Sequence, residues 1–415
     1  MADLPFDATD PRLAAAAWSR IVEPGDPAAG TLVAHVGAVD ALDWLVRTVR
    51  EGRAATGGSR PWEQAVGRWA PRLDNLDVRR ELDVLARLGG ALVVPGDPEW
   101  PARLDDLGER RPFALWVRGG LAQVGAPAPA PGGAPPAPPA PVAPGAAVAV
   151  VGSRAATAYG QRVAAELAAG LVAEGVSVVS GGAYGIDAAA HRGALAAGGH
   201  TVAVLAGGVD RLYPAGNTAL LEAVLAAGAV VAEVPPGCAP SRSRFLARNR
   251  LIAALGAATV VVEAAWRSGA LSTAAHAAGL SRPVGAVPGP VTSMASAGCH
   301  RLLREQGAVC VTDAAEVLEL VGPAGEHLPE DPPVQTGLLD GLDPRAARVL
   351  DALPVRAAAP VANVARTAGL AVAEVRAVLG LLELQGRAER SGSGWRRRAA
   401  TAAAPSRGAR RTVRT

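Results

Sequence analysis

The 415-residue chain contains no lysine, so all 41 of its basic side chains are arginines. That excludes a P-loop, which a lysine completes. It also leaves every cationic contact to a planar guanidinium that can fork onto phosphate and stack on flat rings. Aromatics make up only 3% of the chain, with three phenylalanines and three tyrosines. The three cysteines, Cys238, Cys299 and Cys310, show no CxxC spacing, which predicts free thiols in a reducing compartment. No run approaches the roughly 18 apolar residues of a membrane helix. The opening "MADLPFDATD" is acidic and lacks the basic start of a signal peptide. The expectation is a cytoplasmic protein without a membrane span.

Catalytic signatures are missing as well. The first glycine turn, "GSRAATAYG", lacks the G-x-G-x-x-G of a dinucleotide site. "SGALSTAAH" lacks the glutamate of a phosphoribohydrolase loop. Among the six histidines, His191 lies four residues after Asp187, but no third ligand or nucleophile accompanies the pair. Asp187 instead reads as the N-cap of a helix starting at Ala188, and Asp313 as a similar cap. Glu263, ending a strand, has no sequence neighbour with which to form an acid–base pair. No catalytic residue, metal site or cofactor is assigned, and the reading leans against an enzyme.

What is present is unevenly distributed. From Arg387 to Thr415 there are nine arginines and one glutamate, a local +8, so the remainder carries about −5 within the total of +3. Any anion site elsewhere is therefore a local constellation rather than a general basic surface. Two stretches rich in proline, "APAPAPGGAPPAPPAPVAPG" at 126–145 and "GPAGEHLPEDPPVQTG" at 322–337, read as exposed linkers.

Between them, short apolar runs alternate with helical patterns: "AAVAVVG", "VSVVSGG", "TVAVLAGG", "AVVAEV", "ATVVVEA", "VGAVPG" and "AVCV" each precede a helix. Continuously apolar strands suit a parallel sheet covered on both faces. The fold class is α/β: a doubly wound, mostly parallel Rossmann-like sheet. Ligands of such sheets bind beyond the carboxyl ends of the strands. There the Gly/Ser turns "VGSR", "SGGAYGID", "LAGGVDRLYP" and "WRSGAL", interspersed with Arg154, Arg211 and Arg267, favour an anion site built from backbone N–H groups.

One stretch stands out: "SRSRFLARNRLIAAL", Ser241–Leu255, places a rare phenylalanine among four arginines where a helix begins. A helix start offers free N–H groups and a positive dipole end, and an exposed ring would give an unpaired base a stacking surface. On the residues alone a second reading stands level, with Phe245 in the core and the arginines as a solvated rim.

The motifs "VVGSR", "SGGAYGIDAAAHRGAL", "YPAGN", "FLARNRLIAAL", "VVVEA", "SGALSTA", "AVPG" and "GCHRLLREQGA" together resemble those of the DNA-processing protein A (DprA/Smf) family, in the family's order. The upstream "PGDPEWPARLDDLGERRPFALWVRG" resembles the segment that adds strands before that family's Rossmann core. The resemblance implies a non-catalytic protein that binds and protects single-stranded DNA and loads the RecA recombinase on it, chiefly in natural transformation, as a homodimer. A nucleotide- or nucleoside-processing enzyme on a related Rossmann fold is the alternative. The family's pocket arginine falls on Arg154, its pocket aromatic on Phe245 and its basic residue three positions earlier on Arg242. The implied DNA-binding set is Ser153, Arg154, Gly181, Gly182, Arg242, Phe245, Arg248, Asn249, Arg250, Ser268 and Gly269. Tyr184 stands where the motif commonly has arginine; Ser272 and His300 replace a usual isoleucine and asparagine.

The flanks complete the layout. Residues 1–90 are helical by pattern and resemble the family's small N-terminal domain of the sterile-alpha-motif or helix-hairpin-helix kind. The Rossmann domain spans 91–321 with its insertion at 126–145, and a linker covers 322–341. "DPRAARVLDAL", "PVANVARTAG" and "AVAEVRAVLGLLELQG" read as three helices with a helix-turn-helix break at Gly369, and "RAERSGSGWRRR" resembles a wing. This winged helix is expected over 342–398, with a basic tail at 399–415. Arg376 is the third helix's single arginine, so strong base readout is not expected there.

Overall fold

A computed structural model describes residues 4–51, 59–121, 146–322 and 342–398. The Pro/Ala tract, nearly all of the 322–341 linker and the basic tail lie outside the described residues. The chain divides into two compact units, Met1–Pro329 and Glu330–Thr415.

Four helices come first: α1 (Pro11–Ile21), α2 (Pro27–Glu51), α3 (Arg60–Trp69) and α4 (Val78–Arg87). Asp10 caps α1 by accepting from the N–H groups of Arg12 and Leu13, and Asp77 caps α4 through Arg80 N–H. By length and composition α2 could cross a membrane, which the sequence reading, counting unbroken apolar runs, did not anticipate. Its backbone breaks at Gly37, at φ 83° and ψ 161°. Neither arm alone reaches the roughly 20 residues of a span. Ala41, Leu42 and Leu45 of its second arm are buried with Trp18 and Trp69.

The sheet begins with an antiparallel pair, β1 (Gly90–Val93) and β2 (Leu115–Gly119), separated by a 3-10 stretch at Ala102–Arg110. The alternating part follows: β3 (Ala147–Val151), α5 (Ala158–Ala173), β4 (Ser177–Ser180), α6 (Ile186–Ala196), β5 (Thr201–Leu205), α7 (Thr218–Ala227), β6 (Ala229–Ala232), α8 (Arg242–Leu255), β7 (Ala258–Val261), α9 (Gly269–Gly279), β8 (Val284–Ala286), α10 (Ala297–Glu305), β9 (Val309–Cys310) and α11 (Ala314–Val321). Strand order is β1-β2-β6-β5-β4-β3-β7-β8-β9, parallel from β6 to β9, with β2 antiparallel to β6. The chain builds outward from β3 through β4, β5 and β6, then returns to lay β7 on the other side of β3. That reversal is the topological switch point where such sheets hold ligands.

Alternation along each strand sorts the core into two layers. Ala147, Ala149 and Val151 of β3 face α8, α9 and α10, whereas Val148 and Val150 face α5, α6 and α11. On β5, Ala203 and Leu205 pack with α7 and the N-terminal helices. Those helices thus share a core with the sheet and belong to the same compact unit.

The second unit holds α12 (Pro344–Ala352), α13 (Val361–Ala368), α14 (Val372–Leu384), β10 (Ala388–Ser391) and β11 (Gly394–Arg397). Asp343 caps α12, and α13 ends at Gly369 in the left-handed conformation (φ 66°, ψ 36°). β10 and β11 form the hairpin around Gly392 and Ser393, with Ala359 bridged to Trp395. Val349, Leu350, Val364, Val375, Leu379 and Leu382 make the core. This is a winged helix.

Candidate nucleic-acid interface

Beyond the carboxyl ends of the strands opens a cavity of about 430 Å³. Its walls come from the turn after β3 (Gly152, Arg154), the turn after β4 (Ala183, Asp187), Tyr213 after β5, the start of α8 (Ser241, Arg242, Phe245, Leu246) and the start of α9 (Ser268, Gly269, Thr273).

Two helix N-termini point at this cavity. Ser241 caps α8 by accepting from Arg244 N–H at 3.2 Å, and Ser268 caps α9 through Ala270 N–H at 3.3 Å. Each leaves further N–H groups and a positive dipole end toward the opening. Phe245 is half-buried in the first turn of α8. The Arg154 guanidinium lies 4.7 Å from its ring centroid, that of Arg248 5.8 Å, and the Tyr213 ring 5.9 Å. Arg154 and Arg242 are exposed. The crevice therefore joins cations, free N–H groups and aromatic surface.

Beneath it lies a buried polar support. Arg248, only 6% exposed, donates to the carbonyls of Gly181 (2.8 Å) and Val204. Asp187 accepts from the Gly181 and Ala183 N–H groups at 3.2 and 3.4 Å. The two side chains thus hold the Gly181 peptide from both sides. A Cβ on Gly181 would sit 2.6 Å from the Arg248 guanidinium, which only glycine avoids. Burial raises the Asp187 carboxyl above its ordinary range, opposed by Arg248. Burial likewise lowers Arg248 to about 10, with Asp187 opposing and Arg154 adding to the shift.

Asp187 is not the expected N-cap: α6 begins at Ile186, and Gly185 takes the cap position at φ 78°. Asp187 lies one residue inside the helix, where its carboxylate reaches back to the glycine turn. Asp313 does cap α11, accepting from Glu316 N–H. Glu263 is buried and accepts from the N–H and hydroxyl of Thr157, which ties the end of β7 to the start of α5.

His191 is buried and not among the lining residues, with Nδ1 2.8 Å from the Thr201 hydroxyl. Burial, reinforced by Arg248, lowers its pKa to about 3. The unfolded chain takes up this proton below a pH of about 6.5, whereas the folded protein stays neutral until near 3. Stability from this group is present above about 6.5 and lost as pH falls toward 3. Denaturant titrations between pH 6.5 and 5 should show His191→Asn losing stability less steeply than the parent; equal slopes would refute this.

Of the DNA-binding residues expected from sequence, Arg154, Arg242, Phe245, Arg248, Asn249, Ser268 and Gly269 line the cavity. Asn249 donates to Gly269 O at 3.2 Å, joining the starts of α8 and α9. Ser153, Gly181 and Gly182 are not among the lining residues: Ser153 N–H donates to Glu263 O, and Gly182 O accepts from Asn217. Arg250 lies elsewhere, 2% exposed and ion-paired with Glu233. Tyr184 is exposed and accepts from Gly216 N–H through its hydroxyl, bracing the turn after β4 against the loop before α7. Tyr213 was missed as a site residue. Its scarcity as an aromatic in a glycine-rich turn was the available signal.

A doubly wound sheet whose switch-point crevice combines arginines, an aromatic ring and two helix N-termini, in a chain that also carries a winged helix, defines a Rossmann-type protein of the α/β class. A family model described as DNA recombination-mediator protein A matches residues 140–322, and the DprA winged helix domain matches 331–394. The putative DNA processing protein DprA of Mycobacterium tuberculosis is 46% identical over 401 residues, covering 92% of this chain and 94% of that protein. DprA of Streptococcus pneumoniae is 44% identical over 171 residues, 41% of this chain and 60% of that one. The X-ray structure of Streptococcus pneumoniae DprA matches with a TM-score of 0.51 at 32% identity, covering 61% of this chain and 81% of that one. The chain belongs to the DNA processing protein A (DprA/Smf) family.

Proposed function

We propose that this protein binds and protects single-stranded DNA in the cytoplasm and loads a RecA-type recombinase on it, as in natural transformation, without turning over a substrate. The observation that carries this reading is the crevice itself, where a partly exposed ring lies within reach of two guanidiniums and two helix N-termini. Phosphates suit the cations and N–H groups, and an unpaired base suits the ring face. The family's description as a recombination mediator supports the second step. An enzyme on a related fold is disfavoured because Asp187, the carboxylate among the crevice's lining residues, is engaged in holding backbone, and Glu263 at the end of β7 is engaged with Thr157. Binding of fluorescent oligo-dT in chelator, without nucleotide, tests the reading. Sustained hydrolysis of ATP, nucleotide or DNA that is lost in Arg154→Ala would overturn it.

A homodimer through the Rossmann unit completes the proposal, since two crevices on one particle give avidity for a long strand. Light scattering is expected to show a dimer at micromolar concentration; monomer alone, with and without DNA, would refute it. In the winged helix, exposed Arg376 and the wing arginines supply phosphate contacts without base readout.

A further inference from the structure

Seven of the eight tryptophans are buried or half-buried; Trp266 is 48% exposed. The other strongly exposed aromatics among the described residues are Tyr159, Tyr184 and Tyr213. All four follow the carboxyl ends of parallel strands, after β3, β4, β5 and β7. The chain thus exposes its scarce rings along one edge of one sheet. Exposing a tryptophan forfeits the large apolar burial it would otherwise contribute, and the core does not require it there.

Trp266 sits two residues before Ser268, whose hydroxyl caps α9 at the crevice wall. The Arg301 guanidinium of α10 lies 5.4 Å from the Trp266 ring centroid. Two backbone bonds, Ala264 N–H to Ala295 O (2.8 Å) and Gly298 N–H to Ala264 O (2.7 Å), fix the β7 turn against the start of α10. Arg267, next in sequence, is exposed. The arrangement repeats the pairing of ring and guanidinium seen at Phe245 and Arg154, one strand further along the sheet edge.

We propose that Trp266 is a second stacking station, which takes a base neighbouring the one held at Phe245, with Arg267 and Arg301 on the adjoining phosphates. The strand would run along the carboxyl edge from the β5 side, across the crevice, to the β7 side. This rests on the reading of the crevice as a single-strand DNA site. Parallel strands lie about 4.8 Å apart, so one further strand is within the reach of one or two nucleotides of an extended chain.

The test is a length series of fluorescent oligo-dT, from about 3 to 12 nucleotides, with the parent protein, Trp266→Ala, Trp266→Phe and Phe245→Ala. Trp266→Ala should bind the shortest oligonucleotide that occupies the crevice as the parent does. On longer ones it should lose about 5- to 150-fold, the value of one stacked base. Trp266→Phe should recover most of that loss. If Trp266→Ala matches the parent at every length while Phe245→Ala binds weakly, the second station does not exist and the crevice reading stands. If the parent binds no oligonucleotide, the crevice reading itself fails. Circular dichroism excludes unfolding, and a destabilised Trp266→Ala leaves Trp266→Leu, which keeps bulk without a stacking face, and Arg267→Ala to decide. Unchanged affinity and unchanged length dependence in both would overturn the proposal.

Discussion

Arg248→Ala should destabilise the Rossmann unit by about 3–5 kcal/mol, the cost of removing one member of a buried charge pair. The side chain is 6% exposed and donates to the carbonyls of Gly181 and Val204. Without it, two strand-end carbonyls lose a donor, and the buried Asp187 carboxyl loses the positive charge that offsets its burial. Urea unfolding followed by circular dichroism measures the effect. Arg248→Ala with Asp187→Asn should be less destabilised than the two single changes added together, because the stranded charge is gone. A variant that keeps parental stability and loses only DNA affinity would make Arg248 a phosphate contact instead.

Phe245→Ala and Arg154→Ala should both weaken DNA binding, but only the second should change its dependence on salt. Loss of the ring costs about 1–3 kcal/mol per stacked base, about 5- to 150-fold in affinity, and releases few ions. The slope of log K against log salt therefore stays near the parent's. Loss of a phosphate-contacting arginine reduces that slope by about 0.7 for a single strand. Because the Arg154 guanidinium rests 4.7 Å from the Phe245 centroid, the two changes should not be additive. Both side chains are at least partly exposed, so the fold is expected to survive. Salt titrations of fluorescent oligo-dT read both quantities. Unfolding on Phe245→Ala, or parental binding, would return the ring to the core.

The architecture was legible because it rests on local pattern. Continuously apolar strands alternating with helices announce a covered parallel sheet, and β3 to β9 fall within the predicted runs. Asp313 could be read as a cap because capping involves only the residues that follow it. Asp187 could not, because its partners lie upstream in a glycine turn that folds back over the helix start. The N-terminal helices were readable as helices, but their shared core with β2, β5 and β6 joins segments far apart in the chain.

The arginine cluster at the start of α8 shows the division most clearly. The sequence by itself determined that a ring and four guanidiniums surround a helix start in a chain without lysine, and that a crevice lies beyond the strands. Only the tertiary structure decided where each arginine goes. Arg242 opens into the cavity, and Arg244 pairs with Glu23 after α1 at 2.9 Å. Arg248 holds the turn after β4, and Arg250 pairs with Glu233 in the core. Helical spacing of about 100° per residue sends neighbouring side chains in different directions. What waits in each direction is set by segments 17 to 221 residues away in the chain. A buried guanidinium is tolerated only where such segments bring it carbonyls or a carboxylate, and no local pattern records that.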